Sequence, residues 1–143
     1  MIKIFFFIFI FVYSCTTSPR YTANISSSNK GLKKQTSKNE LKGVSSWYGP
    51  NFHGNLTANG EVYDMYGVTA AHKTLPFNTV VRVVNEDNGK SIILRINDRG
   101  PYAKGRILDC SYGAAKKLGF ADVGTTNVKI EIIELGDGEY MHH

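Results

Sequence analysis

From Gly43 onward the apolar residues come in short, β-branched runs cut apart by glycine, proline and asparagine, which excludes a helical bundle. Val80, Val81, Val83 and Val84, then Ile92, Ile93, Leu94 and Ile96, then Val128 to Leu135 suit pleated, packed surfaces. The pattern predicts strands at 44–48, 79–85, 90–97, 106–110 and 128–135. Glu86-Asp87-Asn88-Gly89 turns the second into the third, with glycine where positive φ is needed. One helix is predicted, capped by Ser111, buried through Ala114, Ala115 and Leu118, and stopped by Gly119. Many short strands and one short helix indicate an all-β (mainly β) chain closed into a small β-barrel.

The first 42 residues are of another kind. Met1 to Cys15 reads as a targeting segment, with Lys3 followed by the apolar run Ile4 to Tyr13. That run is shorter than the about 20 residues of a membrane span. Val12-Tyr13-Ser14-Cys15 resembles a bacterial lipobox, which implies lipidation at Cys15 and a membrane anchor. Thr16 in place of aspartate then implies the periplasmic face of the outer membrane. Residues 16–42 are rich in Ser, Thr, Asn and Lys and read as a disordered basic linker. The net charge of +5 belongs to that linker, because from Gly43 on 10 Lys and Arg face 11 Asp and Glu. Without a basic face, and with an export signal, the domain is not expected to bind nucleic acid. Cys110 has no intramolecular partner once Cys15 is acylated, and its neighbours mark it as a small core residue. Residues 136–143 read as an unstructured tail.

Three segments are unusually polar for such a barrel. One runs from Ser45-Ser46-Trp47-Tyr48 through His53 to Thr57-Ala58-Asn59-Gly60-Glu61, and another is Thr69-Ala70-Ala71-His72. The last is Asn97-Asp98-Arg99-Gly100-Pro101, where a strand runs into a Gly-Pro turn. Aromatic faces, two carboxylates and a histidine form the inventory of a carbohydrate site. Sugars stack on rings, and glycosidic cleavage needs an acid and a base. Each residue has a structural alternative: Asp98 accepting turn N–H groups, Glu61 in a surface turn, and His72, Trp47 and Tyr48 in the core. Asp109 reads as a helix cap or loop pin. No ligand spacing among His53, His72 and the acids points to a metal.

These segments, in this order, together with Arg106-Ile107-Leu108-Asp109-Cys110-Ser111 and the Ala114-Ala115 helix, resemble the rare lipoprotein A (RlpA) family over roughly Gly43 to Leu135. The resemblance implies a double-psi β-barrel, the fold of expansins and family-45 endoglucanases. It implies a lytic transglycosylase of peptidoglycan, cleaving between N-acetylmuramic acid and N-acetylglucosamine and leaving a 1,6-anhydro end. No cofactor is implied. Asp98 is the expected acid/base, with Glu61 and His72 matching the other functional positions. Glu61 would polarise the site or raise the pKa of Asp98, and Tyr48, Trp47, His53 and Arg99 would bind glycan. Arg99 would oppose a proton on Asp98 if the two side chains pointed the same way. Many relatives carry a C-terminal SPOR domain, and this chain ends within about ten residues of its last strand. Septal targeting and preference for peptide-stripped strands are therefore not expected by that route. A non-catalytic, expansin-like glycan-binding module and a water-using hydrolase are the competing readings. The sequence names no protein partner.

Overall fold

The computed structural model describes residues 40–141. The targeting segment, Cys15, the linker as far as residue 39, and His142 and His143 lie outside the described residues. Six strands form a closed barrel: β1 (Glu40–Tyr48), β2 (Thr69–His72), β3 (Val80–Asn85), β4 (Ser91–Asp98), β5 (Arg106–Ser111) and β6 (Thr125–Glu134). Their order around the barrel is β1-β5-β2-β4-β3-β6, with β6 returning to β1. The β1/β5 and β2/β4 pairs are parallel and the other four are antiparallel. Helix α1 (Tyr112–Leu118) follows β5 directly.

The predicted helix forms as its end signals require. The Ser111 hydroxyl accepts the Ala114 N–H at 3.2 Å, and Gly119 leaves in the left-handed region at φ 75°. Ala114, Ala115 and Leu118 join one core with Val81, Val83, Leu94, Ile96, Leu108, Cys110, Val128 and Ile130. Cys110 is fully buried, and burial pushes its thiol up to about 12.

Several boundaries differ from expectation. β1 begins at Glu40, inside the predicted linker, because β6 extends far enough to pair with Glu40 and Leu41. β2 was not expected as a strand. Ile93 is 52% exposed, so β4 alternates, with Leu94 and Ile96 turned inward. The predicted tail is tied down as far as Met141: Gly136 donates its N–H to the Thr79 hydroxyl, Gly138 to Phe77 O and Met141 to Asn59 O. A Cβ on Gly136 would lie 1.9 Å from Phe77 O, so only glycine lets the chain pass there.

One irregularity decides which way the candidate acid faces. Along β2, Ala70 pairs with Ile96 and the next residue, Ala71, pairs with Asp98. One step on β2 thus spans two on β4, and Asn97 is the extra residue of a β-bulge. Strict alternation would turn Asp98 inward with Leu94 and Ile96. The bulge turns it to the outer face beside Ala71.

Candidate functional site

On that outer face, register aligns four residues across four strands: Ser46 opposite Asp109, Asp109 opposite Ala71, and Ala71 opposite Asp98. Directly opposed residues share a face, and three of this row, Asp98, Ala71 and Asp109, form the floor of a cleft. The cleft holds about 170 Å³ and is lined by Asp98, Asp109 and Ala71, with Arg99, Gly100 and Pro101 at one end. Tyr48, Phe52 and Tyr102 supply its aromatic walls. Tyr102 is 87% exposed and Phe52 55%, which leaves two rings open to a sugar face.

Asp98 ends β4 with one oxygen fixed. Its Oδ1 accepts the N–H groups of Ala58 at 2.9 Å and Arg99 at 2.8 Å. That oxygen has no room for a proton, so proton traffic at Asp98 runs through Oδ2. Arg99 points away from the carboxylate. Its guanidinium lies 3.6 Å from the Phe77 ring centroid and donates to Leu75 O at 3.0 Å. Among the described residues no ion pair joins Arg99 to Asp98. Arg99 lines one end of the cleft while its donors hold the 72–77 loop.

Tyr48 takes its predicted place and Trp47 does not. The two alternate along β1, so Tyr48 lines the cleft, whereas Trp47 packs on the core, donating its indole N–H to Ala121 O at 3.1 Å. The Tyr48 ring centroid lies 4.4 Å from that of Tyr63. Its hydroxyl is buried near Thr69 but makes no hydrogen bond of good geometry. Burial, then the negative charge of Asp98, pushes it far above the usual phenol range. His53 is likewise absent from the cleft wall. Its Nδ1 accepts the Met65 N–H at 3.1 Å and pins the loop after the short 3-10 turn at Pro50–Phe52.

Glu61 and His72 stand behind the cleft rather than in it. Glu61 forms a two-pronged pair with Arg95, at 2.6 and 2.8 Å, and accepts the side-chain amides of Asn97 at 2.8 Å and Asn59 at 3.1 Å. The Arg95 guanidinium, with those amides, holds its carboxyl down to about 2 against the opposing effect of burial. Thus paired, it does not supply the like charge expected to raise Asp98. It clamps the bulge residue Asn97 and the loop whose Ala58 N–H grips Asp98. Gly60 makes the turn possible at φ 94°, where a Cβ would also press to 2.8 Å from Met141 O. The His72 Nδ1 accepts the N–H groups of Thr74 and Leu75, so the neutral ring carries its proton on Nε2. Burial, then Arg99 and Lys73, lowers its pKa. It shapes the loop whose carbonyls receive Arg99.

Two cleft rings, Phe52 and Tyr102, carried no assigned role in the sequence reading, and Asp109 was read as a helix cap or loop pin. Only folding shows which rings stay open. Asp109 is neither helix cap nor loop pin. Ser111 fills the cap, and Asp109 sits in the row on the floor.

A family profile described as lytic transglycolase matches residues 40–130. An endolytic peptidoglycan transglycosylase RlpA of Pseudomonas aeruginosa (strain UCBPP-PA14) is 62% identical over 94 residues, which are 66% of this chain and 28% of that relative. The chain thus spans under a third of that relative's length. Among solved structures, a Streptomyces papain inhibitor superposes with a TM-score of 0.55 at 21% identity, over 68% of this chain and 96% of that one. A Clavibacter michiganensis expansin in complex with cellohexaose gives 0.54 at 12% identity, over 66% and 50%. At such identities these two speak for the fold alone, a double-psi β-barrel. The profile spans the barrel from β1 to the middle of β6 and takes in every residue of the cleft, and the chain belongs to the lytic transglycolase family.

Proposed function

We propose that this barrel is an endolytic peptidoglycan transglycosylase that cleaves the bond between N-acetylmuramic acid and N-acetylglucosamine. The observation that carries the reading is Asp98 on the floor of an aromatic-walled cleft, in a chain of this family. A glycan strand would lie along the cleft against Phe52 and Tyr102, with Arg99 offering a cation to the lactyl carboxylate of muramic acid. The muramic acid's own 6-hydroxyl attacks its anomeric carbon. Because nucleophile and electrophile share one sugar, proximity replaces an enzyme nucleophile and leaves proton transfer as the chemical task. Asp98, held by two N–H groups with Oδ2 remaining, is placed to serve that task.

The test incubates the full chain with purified sacculi, intact and peptide-stripped, and reads the products by mass spectrometry. Anhydromuramyl ends that disappear with Asp98→Asn support the reading. Reducing ends instead indicate a hydrolase, and binding without product indicates an expansin-like glycan binder. The cellular setting is proposed on sequence grounds: a lipid anchor at Cys15 on the periplasmic face of the outer membrane, supported by Val12-Tyr13-Ser14-Cys15 and Thr16. Labelling with an alkyne fatty acid, followed by fractionation, should mark the wild type and not Cys15→Ser.

A further inference from the structure

The floor of the cleft carries a second carboxylate that the reading above does not use. Asp98 and Asp109 both pair with Ala71, from opposite sides, so the three side chains stand on one face of three adjacent strands. Neighbouring strands lie about 4.8 Å apart, which sets the two aspartate Cα atoms roughly 10 Å apart with only a methyl group between. That gap admits the linkage between two sugars, one carboxyl on each side. The two acids are also held differently. Asp98 Oδ1 accepts two backbone N–H groups. Among the described residues, Asp109 Oδ1 is buried with no hydrogen-bond partner, and Oδ2 has one long contact, 3.3 Å from Arg106. A buried carboxylate oxygen without a donor is costly, and protonation relieves the cost. Burial accordingly raises the Asp109 pKa, against the opposing pull of Arg106 and Lys73.

We propose that Asp109 is a second catalytic carboxylate, which donates the proton to the departing glycosidic oxygen while Asp98 accepts the proton of the attacking 6-hydroxyl. This rests on the transglycosylase reading and divides its proton work between two groups. In the step, Asp109 protonates O4 of the N-acetylglucosamine unit as the bond from C1 to O4 breaks. The 6-oxygen of the muramic acid bonds to C1, and its proton passes to Oδ2 of Asp98. N-acetylglucosamine leaves with a free 4-hydroxyl, the anhydro ring is closed, and no water is consumed. Proton exchange with solvent returns Asp98 to carboxylate and Asp109 to acid.

The experiment compares full-length wild type, Asp109→Asn and Asp98→Asn on two substrates: purified glycan strands, and a 4-nitrophenyl glycoside of N-acetylmuramic acid. Nitrophenolate leaves without protonation, so the second substrate bypasses the acid and still needs the base. Asp109→Asn should lose about 100-fold or more in kcat on glycan strands and less than about fivefold on the aryl glycoside. Asp98→Asn should fail on both. Activity of Asp109→Asn on the aryl glycoside also certifies its fold. Equal losses on both substrates, or no loss on either, overturn the assignment and leave the transglycosylase reading standing. A wild type that forms no anhydro product from either substrate overturns that reading and the assignment together.

Discussion

Two carboxylate settings meet at the 57–61 loop, which carries Glu61 and grips Asp98 through the Ala58 N–H, and they were built to opposite specifications. Glu61 has its charge matched by Arg95 and its lone pairs filled by Asn59 and Asn97. Among the described residues, the row of Asp98, Ala71 and Asp109 leaves Asp98 Oδ2 and Asp109 Oδ1 without donors. A saturated carboxylate can hold a shape but has no capacity for a proton in flight. An unsaturated one weakens the fold locally and keeps that capacity for a substrate. Both sites use acids from the same family motifs, so residue type alone does not separate structure from chemistry.

The sharpest way to break the comparison is to neutralise one acid from each site. Asp98→Asn should lower kcat on glycan strands by about 100- to 10,000-fold with the thermal midpoint nearly unchanged. Glu61→Gln should reverse the balance. It breaks a partly exposed ion pair that also clamps Asn97, and should cost about 1–2 kcal/mol in denaturant unfolding, with kcat lowered by only about tenfold. A Glu61→Gln variant as inactive as Asp98→Asn yet equally stable would place Glu61 in the chemistry.

Acid titration of stability sharpens the same contrast. Glu61 is held at about 2 when folded and titrates near 4.5 when unfolded, so its contribution is present above pH 4.5 and is lost as pH falls toward 2. His72 has a lowered folded pKa, so its stability is complete above the unfolded value of 6.5 and declines as pH falls from there. Urea midpoints measured against pH should therefore fall in two stages. Glu61→Gln should shrink the lower stage, to which Asp87, Glu131 and Asp137, also held low by their hydrogen bonds, contribute as well, and keep the upper.

The smallest effect compares two rings. Tyr102→Ala should weaken glycan binding about fivefold without altering stability, since its ring is open to solvent. Trp47→Phe loses the indole hydrogen bond to Ala121 and should cost about 1 kcal/mol of stability with KM unchanged. Opposite results would exchange their roles.

Most of the fold was legible in the residues because its signals are local. Short apolar, largely β-branched runs marked five of the six strands, Ser111 and Gly119 bounded the helix, and Gly89 marked a hairpin turn. β2 was not legible, since Thr69-Ala70-Ala71-His72 lacks the bulk that announces a strand and is held by neighbours on both sides. Asp98 was legible as an acid where a rigid strand meets a turn. Its facing was not, because a one-residue bulge at Asn97 reverses the alternation and leaves no mark in composition. The same reversal hid the partnership of Asp98 with Asp109 and the separation of Glu61 from both. Trp47 and Tyr48 show the converse, since strand parity alone separates a core ring from a cleft ring.

The barrel closes where its first strand, β1, meets its last, β6. Closure therefore waits on the ribosome: until residues near Glu134 have been made, β1 and β3 both present open edges. Pairing between strands so distant in the chain is slow, because loop entropy is lost before the contacts that offset it form. A nascent chain of this kind lingers unclosed, with Leu41 and the Val80–Asn85 edge available to other chains. The strand order thus leaves two edges open to wrong pairing until β6 arrives, independent of what the cleft does once the barrel has shut.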